Sequence, residues 1–180
     1  AHLVIIGAVD PQLVRAELEK ALADWKPKPN SEFKKMEWFE PKGGHKIFNT
    51  PDKKGAQIFA GIPLRLSDED PDYPALKMAG IIWGGTMSSR LVQRLRHQDG
   101  LSYGAGGGFS PGIGHAFGTF SSYAICAPQN LAKALKGLQE ELNRLIKQGV
   151  SSQELQEARN AYTAQKKSVL SDDAFLTEVI

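Results

Sequence analysis

The stretch "RLRHQDGLSYGAGGGF", residues 94–109, decides the fold class, because a helical pattern gives way to an extended one within it. Leu91 and Leu95 lie one helical turn apart, and Gly100 is suited to close that helix in the left-handed region. The segment "TMSSRLVQRLRHQDG" is therefore expected to be a short helix capped by Thr86 or Ser88. From Leu101 to Cys126 glycines mix with aromatic residues around "SPGIG", the pattern of a long glycine-rich hairpin. Glycine on a strand marks close backbone approach or a bulge.

Outward toward the C-terminus, Leu131, Leu135, Leu138, Leu142 and Leu145 recur at alternating four- and three-residue steps, predicting one buried helical stripe that Gly149 ends. Ser151 and Glu154 then form a capping box that restarts the pattern through Ala158, Tyr162 and Val169, with Val150 placed to staple onto Leu155. "SDDAFLTEVI" opens another capped helix. Toward the N-terminus, "SDEDPDYPALKMAGIIWGG" reads as a helix with acids in its first turn, ended by Gly84 and Gly85. Before it, "HKIFNT" and "AQIFAGIP" flank "PDKKG" as an antiparallel hairpin would. Residues 26–44, rich in Lys and Pro, read as a linker. "HLVIIGAV" reads as a strand, followed by a helix with Asp10 as N-cap, Pro11 at its first position and Leu18, Ala21, Leu22 and Trp25 on one face. The order β-α, then β-β-α-α-β-β-α-α, predicts an α+β fold: an antiparallel sheet with helices packed on one face, a two-layer sandwich.

Composition narrows the chemistry. The chain has 180 residues, 41% of them hydrophobic, and a formal net charge of +2, which gives no electrostatic argument for nucleic acid or an anionic membrane. No apolar run is long enough to span a bilayer. The single Cys126 excludes an internal disulfide and a multi-cysteine zinc site, and its apolar strand context favours inert burial. His2, His45, His97 and His115 are separated by 43, 52 and 18 residues, so no two share a helix face and no metal-ligand pair is local. Asp68, Glu69, Asp70 and Asp72 lack the glycine and terminal glutamate of a calcium loop. Six glycines fall between Gly104 and Gly114, but they follow a helix and precede a strand, opposite to a phosphate-binding loop. Ser88, Ser89 and Ser102 sit in no nucleophile elbow. The eight lysines of residues 26–54 accompany aromatics but no nucleic-acid motif.

Arg96 and Tyr103 remain. Singly, Arg96 is explained as a cation in the last turn of a helix and Tyr103 as a half-buried sheet residue. Together, a turn at Gly100 could aim guanidinium and phenol at one place, two donors suited to a peptide carbonyl or a developing oxyanion.

The segment "GGTMSSRLVQRLRHQDGLSYGAGGGF" closely resembles the second lobe of the pitrilysin/insulinase family of zinc metallopeptidases, G-G-x-x-S-R-L-x-x-x-[LI]-R-x-x-x-G-L-x-Y. Gly84, Gly85, Ser89, Arg90, Leu91, Leu95, Arg96, Gly100, Leu101 and Tyr103 occupy the matching positions. "LVIIGAVDPQLV" is similar to the strand–helix that closes that family's first lobe, with Ala8 where Asp is usual, and "AQIFAGIP" to the first strands of its second lobe. The resemblance implies two homologous α+β lobes closing around a peptide. One carries H-x-x-E-H and a downstream Glu for zinc and the general base; the other contributes an Arg and a Tyr, here Arg96 and Tyr103, to the substrate carbonyl and tetrahedral intermediate.

On that basis residues 1–25 are expected to be the end of the preceding lobe, 26–43 a linker, and 44–180 the second, non-metal lobe, truncated at its C-terminal end. More chain is expected on both sides. The opening strand is expected to dock into the vacant place in the second lobe's sheet. No cofactor is expected in this chain; zinc is expected on the partner lobe. The expected partners are that zinc-bearing lobe or subunit and a peptide substrate. The alternative is a non-catalytic scaffold or partner subunit of a peptidase-like complex. Localisation is left unknown, open to a periplasmic or a cytoplasmic bacterial protein.

Overall fold

The computed structural model describes residues 3–26 and 36–179, so residues 27–35 of the expected linker, together with His2, lie outside the described residues. Helix α1 spans Pro11–Ala21, β1 Ala56–Leu64, α2 Tyr73–Gly80, α3 Arg90–Val92, β2 Ser102–Ser110, β3 Gly118–Cys126, α4 Leu131–Gln148, α5 Ser152–Val169 and α6 Asp173–Val179. Wider π-type turns prolong α2 over Ile81–Gly85 and α3 over Gln93–Gln98. The chain forms two compact units, one of residues 1–34 with 162–180 and one of residues 35–161. Among the described residues no helix is long and apolar enough to cross a membrane.

In the unit of residues 35–161 the sheet has three antiparallel strands in the order β1-β3-β2, with Ile58 and Ala105 both facing Ala124 across the ladders. Alternation decides its sidedness. Phe120, Ser122, Ala124 and Cys126 of β3 are buried, whereas Tyr123 and Ile125 between them are exposed. Trp83, Leu91 and Leu95 from the helical segments and Ala134 and Leu138 from α4 fill the buried side together with Ile58, Phe109 and Phe120. This is the expected α+β arrangement, and of the leucine stripe on α4 Leu138 is buried while Leu131, Leu135, Leu142 and Leu145 pack half-buried against the core.

The contact between α2 and the sheet is made by backbone. A Cβ placed on Gly84 would lie 2.4 Å from the Gly107 nitrogen, and one on Gly80 would lie 2.6 Å from that of Phe109. On the strand side, a Cβ on Gly107 would meet Ser121 O at 2.2 Å. With no side chains between them, strand and helix close up, and the fully buried Trp83 reaches through to donate its Nε1 proton to Ser122 Oγ at 2.9 Å. The buried indole donor is thereby satisfied.

Capping follows the sequence in several places. Asp10 accepts from Gln12 N at 2.9 Å and Pro11 opens α1. Ser151 and Glu154 exchange bonds at the start of α5. Asp172 accepts from Ala174 N ahead of α6, and Gly100 takes φ +60°.

Four expectations are corrected. Residues 45–50 form no hairpin with β1, whose partner is β3. Ile47 and Phe48 are adjacent rather than alternating, so one sheet face cannot bury both, and both are exposed. Residues 3–9 form no strand. Leu3, Ile5 and Val9 instead line an apolar groove with Val14, Leu18 and Leu22, the inner stripe of α1. The acids at 68–72 precede α2 instead of filling its first turn: Asp70 Oδ1 accepts from Asp72 N at 2.9 Å, an Asx turn that competes with helix. The cap residue of α3 is Ser89, neither Thr86 nor Ser88; those two hydroxyls bond each other at 3.1 Å, and Ser89 Oγ donates to Thr86 O.

The close approach predicts opposite outcomes at two neighbouring glycines. Gly84→Ala is expected to cost about 2–3 kcal/mol by overpacking. In Gly85→Ala the new methyl meets nothing nearer than 3.5 Å, so the change is expected to stay within about 0.5 kcal/mol of neutral. Urea unfolding of the two variants beside the parent chain measures the difference.

Candidate functional site

The helical segment 90–98 carries Arg90, Arg94 and Arg96, while Leu91 and Leu95 fix its inner face in the core. Two of these arginines are committed to the protein. Arg90 forms a bidentate bridge to Glu154, Nε to Oε1 at 2.6 Å and Nη2 to Oε2 at 2.9 Å, and Nη2 also donates to Gly149 O at 2.8 Å. The two side chains are only 12% and 29% exposed, and the pair joins residues 64 positions apart. Arg94 reaches Asp99 at 2.7 Å and Glu140 of α4 at 3.0 Å. Arg96, in the final turn of the segment, is exposed and has neither a hydrogen bond nor an ion pair among the described residues.

The chain then turns through Asp99 and Gly100. Leu101 N donates back to Leu95 O at 2.9 Å, and Asp99 N to Arg94 O at 3.0 Å. The Arg94 and Leu95 carbonyls are thus taken up by backbone N–H groups, without the Arg96 guanidinium. Tyr103 follows two residues after that closure. The β2–β3 register passes from Ser102↔Cys126 directly to Gly104↔Ile125, so Tyr103 is the extra residue of a β-bulge and is 72% exposed. Neither sequence-predicted site residue is sealed in packing. The half-buried sheet position first read for Tyr103 is replaced by a bulge that turns it out of the ladder.

Beside this stretch the open face of the sheet carries Phe59 and Tyr123, both exposed, and the row Gly104, Gly106, Gly108 of β2. A Cβ on Gly106 would lie 2.8 Å from the Tyr123 ring, which rests on the bare strand. Nucleophilic chemistry finds no candidate in Cys126: it is fully buried, and burial pushes its thiol up. Among the described residues no group of three His, Cys, Asp or Glu could hold a metal ion.

Reasoning from sequence missed the Arg90–Glu154 bridge and the role of Ser102. Glu154 was visible as a capping residue, but no local spacing points to a partner 64 residues away. The Ser102 hydroxyl lies 2.6 Å from Gly104 O and 2.8 Å from Ile125 O, a contact that exists only once the strands pair.

A family model for the peptidase M16 inactive domain matches residues 1–162. An uncharacterized zinc protease of Rickettsia bellii is 30% identical over 171 residues, 92% of this chain and 40% of the relative. A non-peptidase homolog of Helicobacter pylori is 27% identical over 124 residues, 62% of this chain and 28% of that protein. The chain therefore spans well under half the length of these relatives. Among solved structures, a peptidase M16 inactive domain from Pseudomonas fluorescens superposes with TM-score 0.57 at 25% identity, covering 68% of this chain and 29% of that one. A protease from Helicobacter pylori gives TM-score 0.77 at 18% identity over 95% of this chain and 42% of its own, a likeness of fold.

The Arg90–Glu154 bridge yields a pH prediction. The Arg90 guanidinium, helped by the Ser151 bonds and against the cost of burial, holds the Glu154 carboxyl down to about 2 from an ordinary 4.5. A carboxylate depressed in the folded state stabilises it at pH values above the unfolded value, and that contribution fades as pH falls from there toward the folded value. Glu154→Gln is expected to cost about 1–3 kcal/mol at pH 7 and much less near pH 2.5. Unfolding midpoints of both chains at the two pH values check it.

Proposed function

Since the chain belongs to the peptidase M16 inactive-domain family, we propose that it is the substrate-gripping, non-metal half of a zinc endopeptidase, inactive without a lobe that carries the zinc motif. The observation that carries this reading is the contrast among three neighbouring arginines. Arg90 and Arg94 are spent on Glu154, Asp99 and Glu140, whereas Arg96 is left open to solvent at the end of the same segment. A bulge then turns the phenol of Tyr103 outward two residues beyond the closure.

In peptide hydrolysis the scissile carbonyl oxygen gathers negative charge as its carbon becomes tetrahedral. A guanidinium and a phenol hydroxyl fixed near that oxygen donate to it more strongly as the charge grows, which lowers the barrier without tightening ground-state binding. Both groups carry N–H or O–H donors, so each can act on the oxygen as a hydrogen-bond donor with no proton changing hands. Zinc, held by H-x-x-E-H of the partner lobe, would polarise the carbonyl and activate water. Under this reading residues 1–25 close the preceding lobe, 26–43 link the two, and 44–180 form the gripping lobe.

The second reading is a non-catalytic scaffold or partner subunit. It is favoured by one relative that is named a non-peptidase homolog. The two readings separate in a reconstitution. With a lobe bearing H-x-x-E-H, the assembly is expected to cleave a quenched fluorescent peptide. Arg96→Ala and Tyr103→Phe are each expected to lower kcat by about 10²-fold with little change in KM, the mark of donors used in the transition state. Full turnover in both variants would leave the scaffold reading standing.

A further inference from the structure

Resting on the assignment of Tyr103 to the substrate, we propose that Ser102 is a positioning residue for Tyr103: its hydroxyl pins the bulge that turns the phenol out of the sheet. Ser102 is buried on the core side of β2, opposite Cys126. The next residue to find a partner on β3 is Gly104, opposite Ile125, so the bulge consists of Tyr103 alone. The Ser102 hydroxyl reaches both carbonyls that frame it, Gly104 O on its own strand at 2.6 Å and Ile125 O on the neighbour at 2.8 Å.

A hydroxyl carries one proton, which these two acceptors share. Where a bulge interrupts the ladder the extra residue is left unpaired, and a hydroxyl that donates to the carbonyls flanking it holds the interruption in place. The Ser102 hydroxyl does so from inside the core. The bulge also keeps the rest of β2 in phase. With Tyr103 extra, Ala105, Gly107 and Phe109 face the core alongside Ser102; a regular strand would turn them to the open face. Alanine would fill nearly the same buried volume, so the hydroxyl is required by the two carbonyls and not by packing.

On the side of the turn away from the sheet, the Leu101 N to Leu95 O bond fixes the chain just before Ser102. Asn130 Nδ2 adds a longer contact to Leu101 O at 3.4 Å. Tyr103 thus stands on a backbone held at Leu101 by the helix and at Ser102 by the hydroxyl.

The test is a double-mutant cycle in the assembly of this chain with its zinc-bearing lobe, using Ser102→Ala, Tyr103→Phe and both together. Ser102→Ala is expected to lower kcat about tenfold with KM little changed, and to cost nothing further when Tyr103 is already Phe. An equal loss in both backgrounds would overturn the proposal, since Ser102 would then act independently of the phenol. A second measurement needs no activity: 3-fluorotyrosine incorporated throughout the chain and read by fluorine NMR. Ser102→Ala is expected to shift or broaden the Tyr103 resonance and to leave that of Tyr162 in place; an unmoved Tyr103 resonance would also overturn it. Should Tyr103→Phe leave turnover intact while the fluorine signal moves, the substrate role of Tyr103 fails and the positioning by Ser102 stands.

Discussion

Strand β2 can carry a bulge and an exposed phenol at its start because a helix lies directly on its backbone farther along. Gly80 and Gly84 approach the run Gly106–Phe109 so closely that a single methyl at Gly84 or Gly107 would collide with main-chain atoms. Such contact fixes the α2–β2 spacing with little freedom, since peptide planes do not swing aside as long side chains do. Trp83, between the glycines, spans the seam to Ser122. From there the chain leaves through Gly85 and Thr86 and returns as the segment of Arg90 to Gln98, whose Leu91 and Leu95 enter the same core. The glycine run that resembles a phosphate cradle in one dimension is a packing surface in three.

Upon that base the charges divide by task. Arg90 and Arg94 sit one helical turn apart and tie the segment to α5 and α4, and Glu154 serves both as a helix cap and as the counter-ion of Arg90. Glu141 is buried on α4 near both arginines, with Arg144 at 3.6 Å. The field around the segment is therefore largely balanced before Arg96 is reached. A guanidinium without an internal partner is available to an outside acceptor, and a phenol on a bulge is available for the same reason.

Much of this was readable from residue order. Leucine spacing marked α4, the S-x-x-E box marked α5, Asp10-Pro11 marked α1, and the change of period near Gly100 placed the helix-to-strand turn. These features are local, so local patterns report them. What depended on tertiary pairing was misread or missed. "HKIFNT" has the composition of a strand but no face to bury, and the opening apolar run forms no strand and lines a groove with its own helix. The site divides in the same way. Arg96 and Tyr103 were visible through the motif, whereas the bridge that holds one segment and the hydroxyl that pins the bulge join residues brought together only by folding.

The central claim is that this lobe offers Arg96 and Tyr103 to the reacting carbonyl of a peptide held by two lobes. A crystal structure of the complete two-lobe assembly with a phosphinic peptide, a stable mimic of the tetrahedral intermediate, tests it most directly. The account predicts the Arg96 guanidinium and the Tyr103 hydroxyl about 3 Å from the phosphinic oxygens or the adjacent backbone carbonyl. A peptide whose oxygens are held solely by the zinc-bearing lobe, with both side chains turned to water or to an interlobe contact, would contradict it.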